Sequence, residues 1–167
     1  MIYFTSDMHF GHKNIIEYCD RPFEDLTDMH TKLISNWNTI VKKDDIVFHL
    51  GDFCFNNEPE IYESKLNGRI MHIKGNHDEV KWYLIYTRIN TYGLNIWMQH
   101  EPVERQEEIS PDIHLILCGH VHKMWTTKII NCPDESKKIS MINVGVDVHR
   151  YKPISIKEVV KIYNTIK

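Results

Sequence analysis

The chain has 167 residues, of which 42% are hydrophobic, so it can bury one hydrophobic core of ordinary domain size. Its formal net charge of -3 provides no basic excess, which argues against a protein that coats duplex nucleic acid by neutralising phosphates. No apolar run approaches the roughly 20 residues that span a bilayer, so we expect a single domain over residues 1–167 without a membrane partner.

Short apolar runs rich in β-formers predict six strands, at Met1 to Thr5, Asp45 to Leu50, Arg69 to Lys74, Leu94 to Gln99, Ile113 to Cys118 and Ser140 to Val148. From Leu26 to Val41 the apolar residues recur at three- and four-residue steps, which predicts a helix that covers a sheet. A hairpin turn is expected at Asn131 to Lys137, and a capping-box pattern at Ser155 and Glu158 begins a C-terminal helix. This order predicts an α/β protein with a mixed sheet.

Ligand-type side chains follow the ends of the first five predicted strands. They stand in Asp7-Met8-His9, Gly51-Asp52, Gly75-Asn76-His77-Asp78, His100 and Gly119-His120-Val121-His122. Because sites in open α/β sheets form outside the carboxyl ends of the strands, residues far apart in sequence can converge there. A glycine precedes three of these sets, where the chain must turn sharply or pass close to an ion.

The donor set contains aspartate, asparagine and histidine but no thiolate. Such mixed oxygen and nitrogen donors suit Mn²⁺, Fe, Zn²⁺ or Ni²⁺ better than a structural zinc site. Seven donors are too many for one catalytic ion that keeps room for water, but they suit two ions that share a bridging carboxylate. The sequence therefore predicts a positively charged two-metal centre that attracts an oxyanion and activates water.

The five motifs, DxH, GD, GNHD, H and GHxH, occur here in order between Asp7 and His122 and resemble those of the calcineurin-like metallophosphoesterase superfamily. Three further segments resemble its small stand-alone bacterial and phage members: residues 6–12, residues 21–23 and residues 143–147. The resemblance implies a four-layer sandwich of two packed mixed β-sheets flanked by helices. One departure is His100-Glu101-Pro102, where the family often has His-Gly, which leaves the ligand in place.

The resemblance also implies roles for individual residues. It assigns seven metal ligands: Asp7, His9 and His122 for one ion, Asn76, His100 and His120 for the other, and Asp52 as the bridge between them. Manganese is the expected metal, with iron, zinc and nickel as alternatives. His77 would face the phosphate and help to stabilise or protonate the leaving oxygen, and Asp78 would orient the His77 ring.

Four other residues near these motifs have weaker predictions. His12 could contact substrate, although helix capping or solvent exposure is equally compatible with its position. Arg21 could clamp a phosphate oxygen with two donors, although a surface arginine before proline is commoner. Strand alternation points His49 away from Asp52 and into the core. Trp125 could stack on a base, but a core or rim position is favoured.

The four cysteines, at positions 19, 54, 118 and 132, form no CxxC pair. The chain also begins without a charged leader followed by an apolar stretch. These features predict a reducing, cytoplasmic location. Cys54 and Cys118 lie close to the motifs, but buried thiols are common in protein cores, so we expect neither to bind metal.

The leading functional hypothesis is a phosphoesterase that hydrolyses a phosphodiester or phosphomonoester of small, nucleotide type. Only about twenty residues separate the late motifs, which leaves little chain for a cap domain. Two alternatives are a nuclease acting on DNA or RNA ends and a non-catalytic, metal-binding interaction protein with the same fold, as one retromer subunit is. The presence of Asn76, His77 and Asp78 together favours turnover, because a scaffold needs no proton donor beside its metals.

Overall fold

The computed structural model describes residues 1–55, 58–80, 83–104, 110–131 and 138–167. These ranges contain nine strands: β1 (Ile2–Thr5), β2 (Ile46–Leu50), β3 (Arg69–Ile73), β4 (Tyr86–Thr91), β5 (Leu94–Gln99), β6 (Leu115–Cys118), β7 (Thr127–Asn131), β8 (Lys138–Asn143) and β9 (Ile154–Ser155). The helices in the same ranges are α1 (Ile15–Tyr18), α2 (Leu26–Ile40), α3 (Pro59–Glu63) and α4 (Ile156–Ile166), with a 3₁₀ turn at Val146–Val148.

The strands form two mixed sheets. The first has the order β3-β2-β1-β9, in which β1, β2 and β3 are parallel and β9 is antiparallel to β1. The second has the order β4-β5-β6-β8-β7, in which β5, β6 and β8 are parallel and the two edge strands are antiparallel. The expected α/β architecture of two packed mixed sheets flanked by helices is confirmed.

One hydrophobic core lies between the sheets. Phe4, Phe48 and Leu50 from the first sheet belong to the same buried cluster as Ile96 and Leu117 from the second. Neighbouring residues on β2 and β6 point the other way, into separate cores, so both faces of these strands are buried. Burial on two faces explains why the strands read as continuous apolar runs rather than as an alternation.

Helix α2 covers the outer face of the first sheet. Its apolar positions Met29, Leu33 and Trp37 are fully buried and belong to the same cluster as Val47 of β2. The helix begins at Asp25, whose side chain accepts a hydrogen bond from the Asp28 amide. The predicted helix therefore forms within one residue of its expected end.

Helix α4 begins at the capping box that the sequence predicts. The Ser155 side chain accepts a hydrogen bond from the Glu158 amide, and the Glu158 side chain accepts one from the Ser155 amide. Ile156 and Val159 then anchor the helix in the core between the sheets. None of the helices in the described ranges is long and apolar enough to cross a membrane.

Three local features differ from the sequence prediction or fall outside it. The last predicted strand ends at Asn143 and not at Val148, because the Asn143 side chain accepts the Gly145 amide and turns the backbone towards Ser6. Strand β4 was not predicted, since its residues are at best half-buried and carry few apolar side chains. Of the turn expected at Asn131 to Lys137, Asn131 ends β7, whereas residues 132–137, including Cys132, lie outside the described residues.

His49 is a fully buried histidine on β2, as strand alternation predicts. Its ring packs edge-on against Phe53, and neither ring nitrogen has a hydrogen-bond partner among the described residues. Burial, followed by the neighbouring His72, holds the pKa of His49 well below its ordinary value. The folded protein therefore contains a neutral imidazole that becomes protonated only on unfolding.

We predict that His49 makes the protein sensitive to acid. Below about pH 6.5 the unfolded chain binds one more proton at His49 than the folded chain, so the free energy of unfolding falls by about 1.4 kcal/mol per pH unit from this residue. In His49→Phe this contribution should disappear. Urea unfolding of both proteins in EDTA from pH 7.5 to 5 would measure it, and parallel losses of stability would contradict the assignment.

Candidate metal centre

The expected ligands meet because parallel strands of both sheets end at the same edge of the sandwich. Asp7 and His9 follow β1, Asp52 follows β2 and Asn76 follows β3. From the second sheet, His100 follows β5, whereas His120 and His122 follow β6. Backbone hydrogen bonds join the loops, from the Asp7 amide to Gly51 and from the Gly119 amide to His100. Loops from five strands thus form one cluster.

The Asp52 carboxylate lies at the centre of this cluster. Its Oδ2 atom is 3.4 Å from Nε2 of His9 and 3.4 Å from Nε2 of His100. Its Oδ1 atom accepts a hydrogen bond of 3.0 Å from the His77 amide, which fixes the carboxylate plane. Since His9 and His100 belong to different expected ligand groups, Asp52 stands between the two groups.

The first group contains Asp7, His9 and His122, whose ligand atoms all lie within 4.8 Å of one another. Asp7 is fully buried, and its carboxylate accepts hydrogen bonds from the Ser6 hydroxyl and the His120 amide. Burial raises the pKa of Asp7, while the nearby imidazoles of His100 and His122 oppose that rise. A cation at this position would compensate the buried negative charge.

The second group is joined through the Asn76 side chain. Its Oδ1 atom is 3.0 Å from Nε2 of His100 and 3.1 Å from Nδ1 of His120. The Nδ1 atom of His100 lies 2.7 Å from the Leu50 carbonyl, which can only accept, so this nitrogen carries the proton. The Nε2 atom of His100 points towards Asn76 and Asp52 and could ligate an ion once it has lost its proton, which is the usual arrangement of a metal-binding histidine.

Most of the expected ligands sit on strained backbone. Nine non-glycine residues in the described ranges have positive φ, and five of them are expected ligands: Asp7, His9, Asp52, His120 and His122. The left-handed conformation costs on the order of 1 kcal/mol for each such residue, although Asp and His adopt it more readily than most. Strain of this kind persists where the surrounding structure holds side chains in one required direction.

Two glycines leave room for the carboxylates. A Cβ atom on Gly75 would lie 2.1 Å from Asp52 Oδ1, and one on Gly119 would lie 2.6 Å from Asp7 Oδ2. Both distances are far below van der Waals contact, and a Cβ atom on Gly119 would also lie 2.3 Å from the hydroxyl oxygen of the buried Ser6. Glycine at these positions is therefore a requirement of the close packing around Asp7 and Asp52.

The residues present fit a pair of divalent transition metal ions. Ligand atoms about 2.1 Å from one tetrahedral ion lie about 3.4 Å apart, the separation that Asp52 Oδ2 shows to both imidazoles. The Nε2 atom of His9 is buried and has no hydrogen-bond partner in the described part of the chain, an arrangement that an ion would satisfy. Burial lowers the pKa of His9 to about 2, so its ring stays neutral and able to ligate.

His100 and His122 bind protons more strongly than ordinary histidines. Burial lowers the pKa of each, but the hydrogen bond that His100 donates to Asp52 and the charges of Asp7 and Asp52 raise the pKa of His100 to about 9. At His122, hydrogen bonds to Asp147 and Cys19 raise the pKa to about 10. Because a metal ligates neutral imidazole, ion binding near neutral pH must displace these protons.

His77 and His12 lie at the open side of the first group. The exposed His77 ring is 5.5 Å from the His9 ring, centroid to centroid, and 6.1 Å from the half-buried His12 ring. His12 stacks on Phe55 at 4.4 Å. Both histidines are therefore placed where a group bound at the cluster would approach them.

Asp78 does not orient the His77 ring. Its buried carboxylate accepts hydrogen bonds from three backbone amides, those of Asp52, Phe53 and Gly75. With both oxygens so engaged, Asp78 ties the loop after β3 to the loop after β2. The expected catalytic role of Asp78 is thus corrected to an anchor for the Asp52 backbone.

Arg21 is also placed differently from the sequence expectation. Its guanidinium is fully buried and makes a two-pronged ion pair with Asp147, at 2.9 Å for each contact. It also donates to the carbonyls of Asp7 and Met8 and to the sulfur of Met29. No donor is left for a phosphate oxygen, so this geometry corrects the expected clamp to a support for the first loop.

Asp147 is a functional residue that the sequence reasoning missed. Its Oδ2 atom accepts a 2.8 Å hydrogen bond from Nδ1 of His122, which directs the other ring nitrogen of His122 away from it. Asn143 supports the same loop by donating to the carbonyls of His122 and Trp125. The sequence signal for Asp147 is the 143–147 segment, which resembles the small members of the family but whose apolar pattern predicts a strand. Trp125 itself packs against the outer core of the second sheet.

Comparison with known proteins places the chain among phosphoesterases. A family model for the calcineurin-like phosphoesterase superfamily domain matches residues 2–155. The protein MJ1445 of Methanocaldococcus jannaschii is 35% identical over 180 residues, covering 96% of this chain and 90% of its own. The Aquifex aeolicus protein AQ665, of unknown function, superposes with a TM-score of 0.77 at 29% identity, covering 97% of this chain and 98% of its own.

Two more distant structures share the fold alone. An archaeal phosphodiesterase superposes with a TM-score of 0.51 at 18% identity, covering 86% of this chain and 82% of its own. Chaetomium thermophilum Vps29 superposes with a TM-score of 0.54 at 12% identity, covering 85% of this chain and 69% of its own. At sequence identities this low, a shared fold does not show a shared activity.

We predict that Asp147 positions His122 for metal binding. Asp147→Asn should bind Mn²⁺ about 10- to 100-fold more weakly, as is usual when the partner of a metal-binding histidine is changed. It should also release about one proton fewer per chain on metal loading, because His122 without the carboxylate starts out neutral near pH 7.5.

Calorimetric titration in buffers of different ionisation enthalpy measures both quantities, after circular dichroism has shown that the variant is folded. Asp20→Asn, an exposed change beside the same loop, is the control and should behave as the wild type. Unchanged affinity together with unchanged proton release in Asp147→Asn would rule out the positioning role.

Proposed function

Because its residues 2–155 match the family model, the chain belongs to the calcineurin-like phosphoesterase superfamily, and we propose that it hydrolyses phosphate esters with two bound divalent metal ions. The observation that carries this proposal is the position of Asp52, 3.4 Å from an imidazole of each ligand group. A carboxylate in that position can serve two ions at once.

The charge of the site suits a phosphate ester. Asp7 and Asp52 contribute two negative charges, and the other five ligands are an amide and four imidazoles that are neutral once the protons of His100 and His122 have been displaced. When bound, two divalent ions would supply four positive charges, bind phosphoryl oxygens and acidify the water molecule that attacks phosphorus. The cluster would thus carry net positive charge, which attracts an oxyanion.

We assign proton transfer to His77. Its ring is exposed at the mouth of the cluster and its amide is held by Asp52, so the side chain is near the ligands without being used as one. The leaving oxygen of an ester requires a proton, and a positioned imidazole is the usual donor. His12, beside His77, is proposed to contact the substrate. No covalent nucleophile is needed.

For the metals we propose manganese, with iron, zinc or nickel as alternatives. The ligand set consists of carboxylate, amide and imidazole donors, which are of intermediate hardness. Cys19 approaches His122 and Asp147, and these three could form a separate ligand group. However, Asp147 is already paired with the Arg21 cation, so we do not assign a metal to that group.

A non-catalytic interaction protein is the competing function. Such a scaffold would require the sheets and could retain the metals, but it would have no use for an exposed imidazole beside them. The position of His77 therefore favours an enzyme, and the likeness to Vps29 concerns the fold alone.

The test of the two-ion assignment is Asp52→Asn. Since Asp52 would serve both ions, the variant should lose both together, and metal analysis after gel filtration should show well under one ion per chain. Asp44→Asn, an exposed change, is the control and should retain two. An Asp52→Asn protein that keeps two tightly bound ions would show that the bridge is assigned incorrectly.

We predict that His77→Asn separates chemistry from metal binding. Both ions should remain, while the hydrolysis rate falls by about 10²- to 10⁴-fold if His77 is the general acid. The loss should be large for a nucleoside ester, whose alkoxide leaves poorly, and small for a p-nitrophenyl ester, whose phenolate leaves unaided. Equal losses on both esters would indicate binding of phosphoryl oxygens, and full activity would remove His77 from the mechanism.

A further inference from the structure

Two clefts border the ligand cluster, each beside different ligands. The Lys74 cleft, of about 290 Å³, is lined by Asn76 and His100 and extends to Lys74 and Ile85. The Tyr18 cleft, of about 360 Å³, is lined by His120 and His122 and extends to Tyr18, Lys123 and Met124. None of the expected metal ligands lines both clefts. A phosphoryl group held at the cluster would therefore have the Lys74 cleft on one side and the Tyr18 cleft on another.

A phosphomonoester has one organic substituent, whereas a phosphodiester has two. We propose that the substrate is a nucleotide-type phosphodiester, with an aromatic base in the Tyr18 cleft and an anionic second substituent in the Lys74 cleft. This inference rests on the proposed function. In the reaction one P–O bond breaks as the oxygen of water bonds to phosphorus, and the products are a phosphomonoester and an alcohol.

The Tyr18 cleft presents an apolar, partly aromatic surface. Tyr18 is 70% exposed and Met124 is 82% exposed, so both present most of their surface to whatever enters the cleft. The Tyr18 ring lies 6.1 Å from the His12 ring, which in turn stacks on the half-exposed Phe55. Flat rings of this kind bind any of the nucleobases by stacking, because every base has an aromatic face.

His77 belongs to the same side of the cluster. Its ring lies 6.1 Å from that of His12 and 5.9 Å from that of Phe55. A substituent whose base stacks in the Tyr18 cleft would therefore leave next to the proposed proton donor. This arrangement favours a nucleoside as the leaving alcohol.

The Lys74 cleft differs in having a lysine without an ion pair among the described residues, whereas Lys123 of the Tyr18 cleft lies 3.8 Å from the Asp20 carboxylate. Lys74 is half-buried and forms no ion pair with any residue that the structure describes, and Glu101 lines the same cleft without approaching it within 4 Å. An unpaired, partly buried ammonium attracts an anionic group such as a second phosphate. The two clefts thus differ in the chemical groups that they accept.

The test compares three substrates on the Mn²⁺-loaded protein: dithymidine phosphate, the same diester with both bases removed, and thymidine 5′-monophosphate. We expect a higher kcat/KM for dithymidine phosphate than for either of the others. Tyr18→Ala should reduce the preference for the base-bearing diester by roughly 10-fold or more, given the usual strength of stacking on an aromatic ring. Met71→Ala, at an exposed methionine on β3, is the control and should leave the preference unchanged.

The second arm adds a terminal phosphate to dithymidine phosphate. The wild type should hydrolyse the phosphorylated diester with a lower KM than the unphosphorylated one, and Lys74→Ala should remove this difference between the two substrates. A terminal phosphate that gives no advantage in the wild type would overturn the assignment of the Lys74 cleft.

Other outcomes overturn the rest of the proposal. If thymidine 5′-monophosphate has the higher kcat/KM, the enzyme is a monoesterase. The two clefts then do not hold the two substituents of a diester, while the proposed function stands. If Tyr18→Ala affects the diesters with and without bases equally, the Tyr18 cleft does not hold the base. Absence of hydrolysis of all these esters and of p-nitrophenyl esters, with metal content verified, would instead refute the proposed function.

Discussion

The position of the Asp52 carboxylate is the constraint on which the rest of the site depends. It lies equally far from one imidazole of each ligand group, so a shift of Asp52 would disturb both groups at once. Its backbone is held by Asp78, and its side chain is held by the His77 amide. The bare Cα of Gly75 lets the β3 loop pass beside the carboxylate. The loops after β2 and β3 are thus fixed to each other before any ion binds.

This arrangement is unfavourable in isolation, and the folded core compensates for it. Five expected ligands have left-handed backbone, and the buried carboxylates of Asp7 and Asp52 lie beside the buried imidazoles of His9 and His100. Hydrophobic burial offsets this unfavourable free energy, because strands of the first sheet bury one face against α2 and the other against the opposite sheet. Bound cations would relieve the electrostatic part of this cost, so metal affinity and folding stability are linked in this protein.

The Arg21 and Asp147 pair connects the two sheets at the first ligand group. Arg21 supports the carbonyls of Asp7 and Met8 after β1, whereas Asp147 holds the His122 ring after β6. Each is fully buried, and a buried ion pair is tolerated when its remaining donors and acceptors are also used, as they are here. The pair therefore holds the loop after β1 and the His122 ring in a fixed relative position, although neither Arg21 nor Asp147 is expected to contact an ion.

The sequence by itself determined which candidate ligands follow the strands, and it determined the position of most of the main elements. Motifs such as Asp7-Met8-His9 follow strands whose apolar composition is local, and the α4 capping box lies within four residues, so both can be read from short segments. Only the tertiary structure decided what Arg21, Asp78 and Asp147 do. Arg21 and Asp147 are 126 positions apart, and Asp78 acts on amides 25 and 26 positions away. A carboxylate or guanidinium has the same sequence signature whether it meets substrate or backbone, because its partner is chosen by packing and not by its neighbours in the chain.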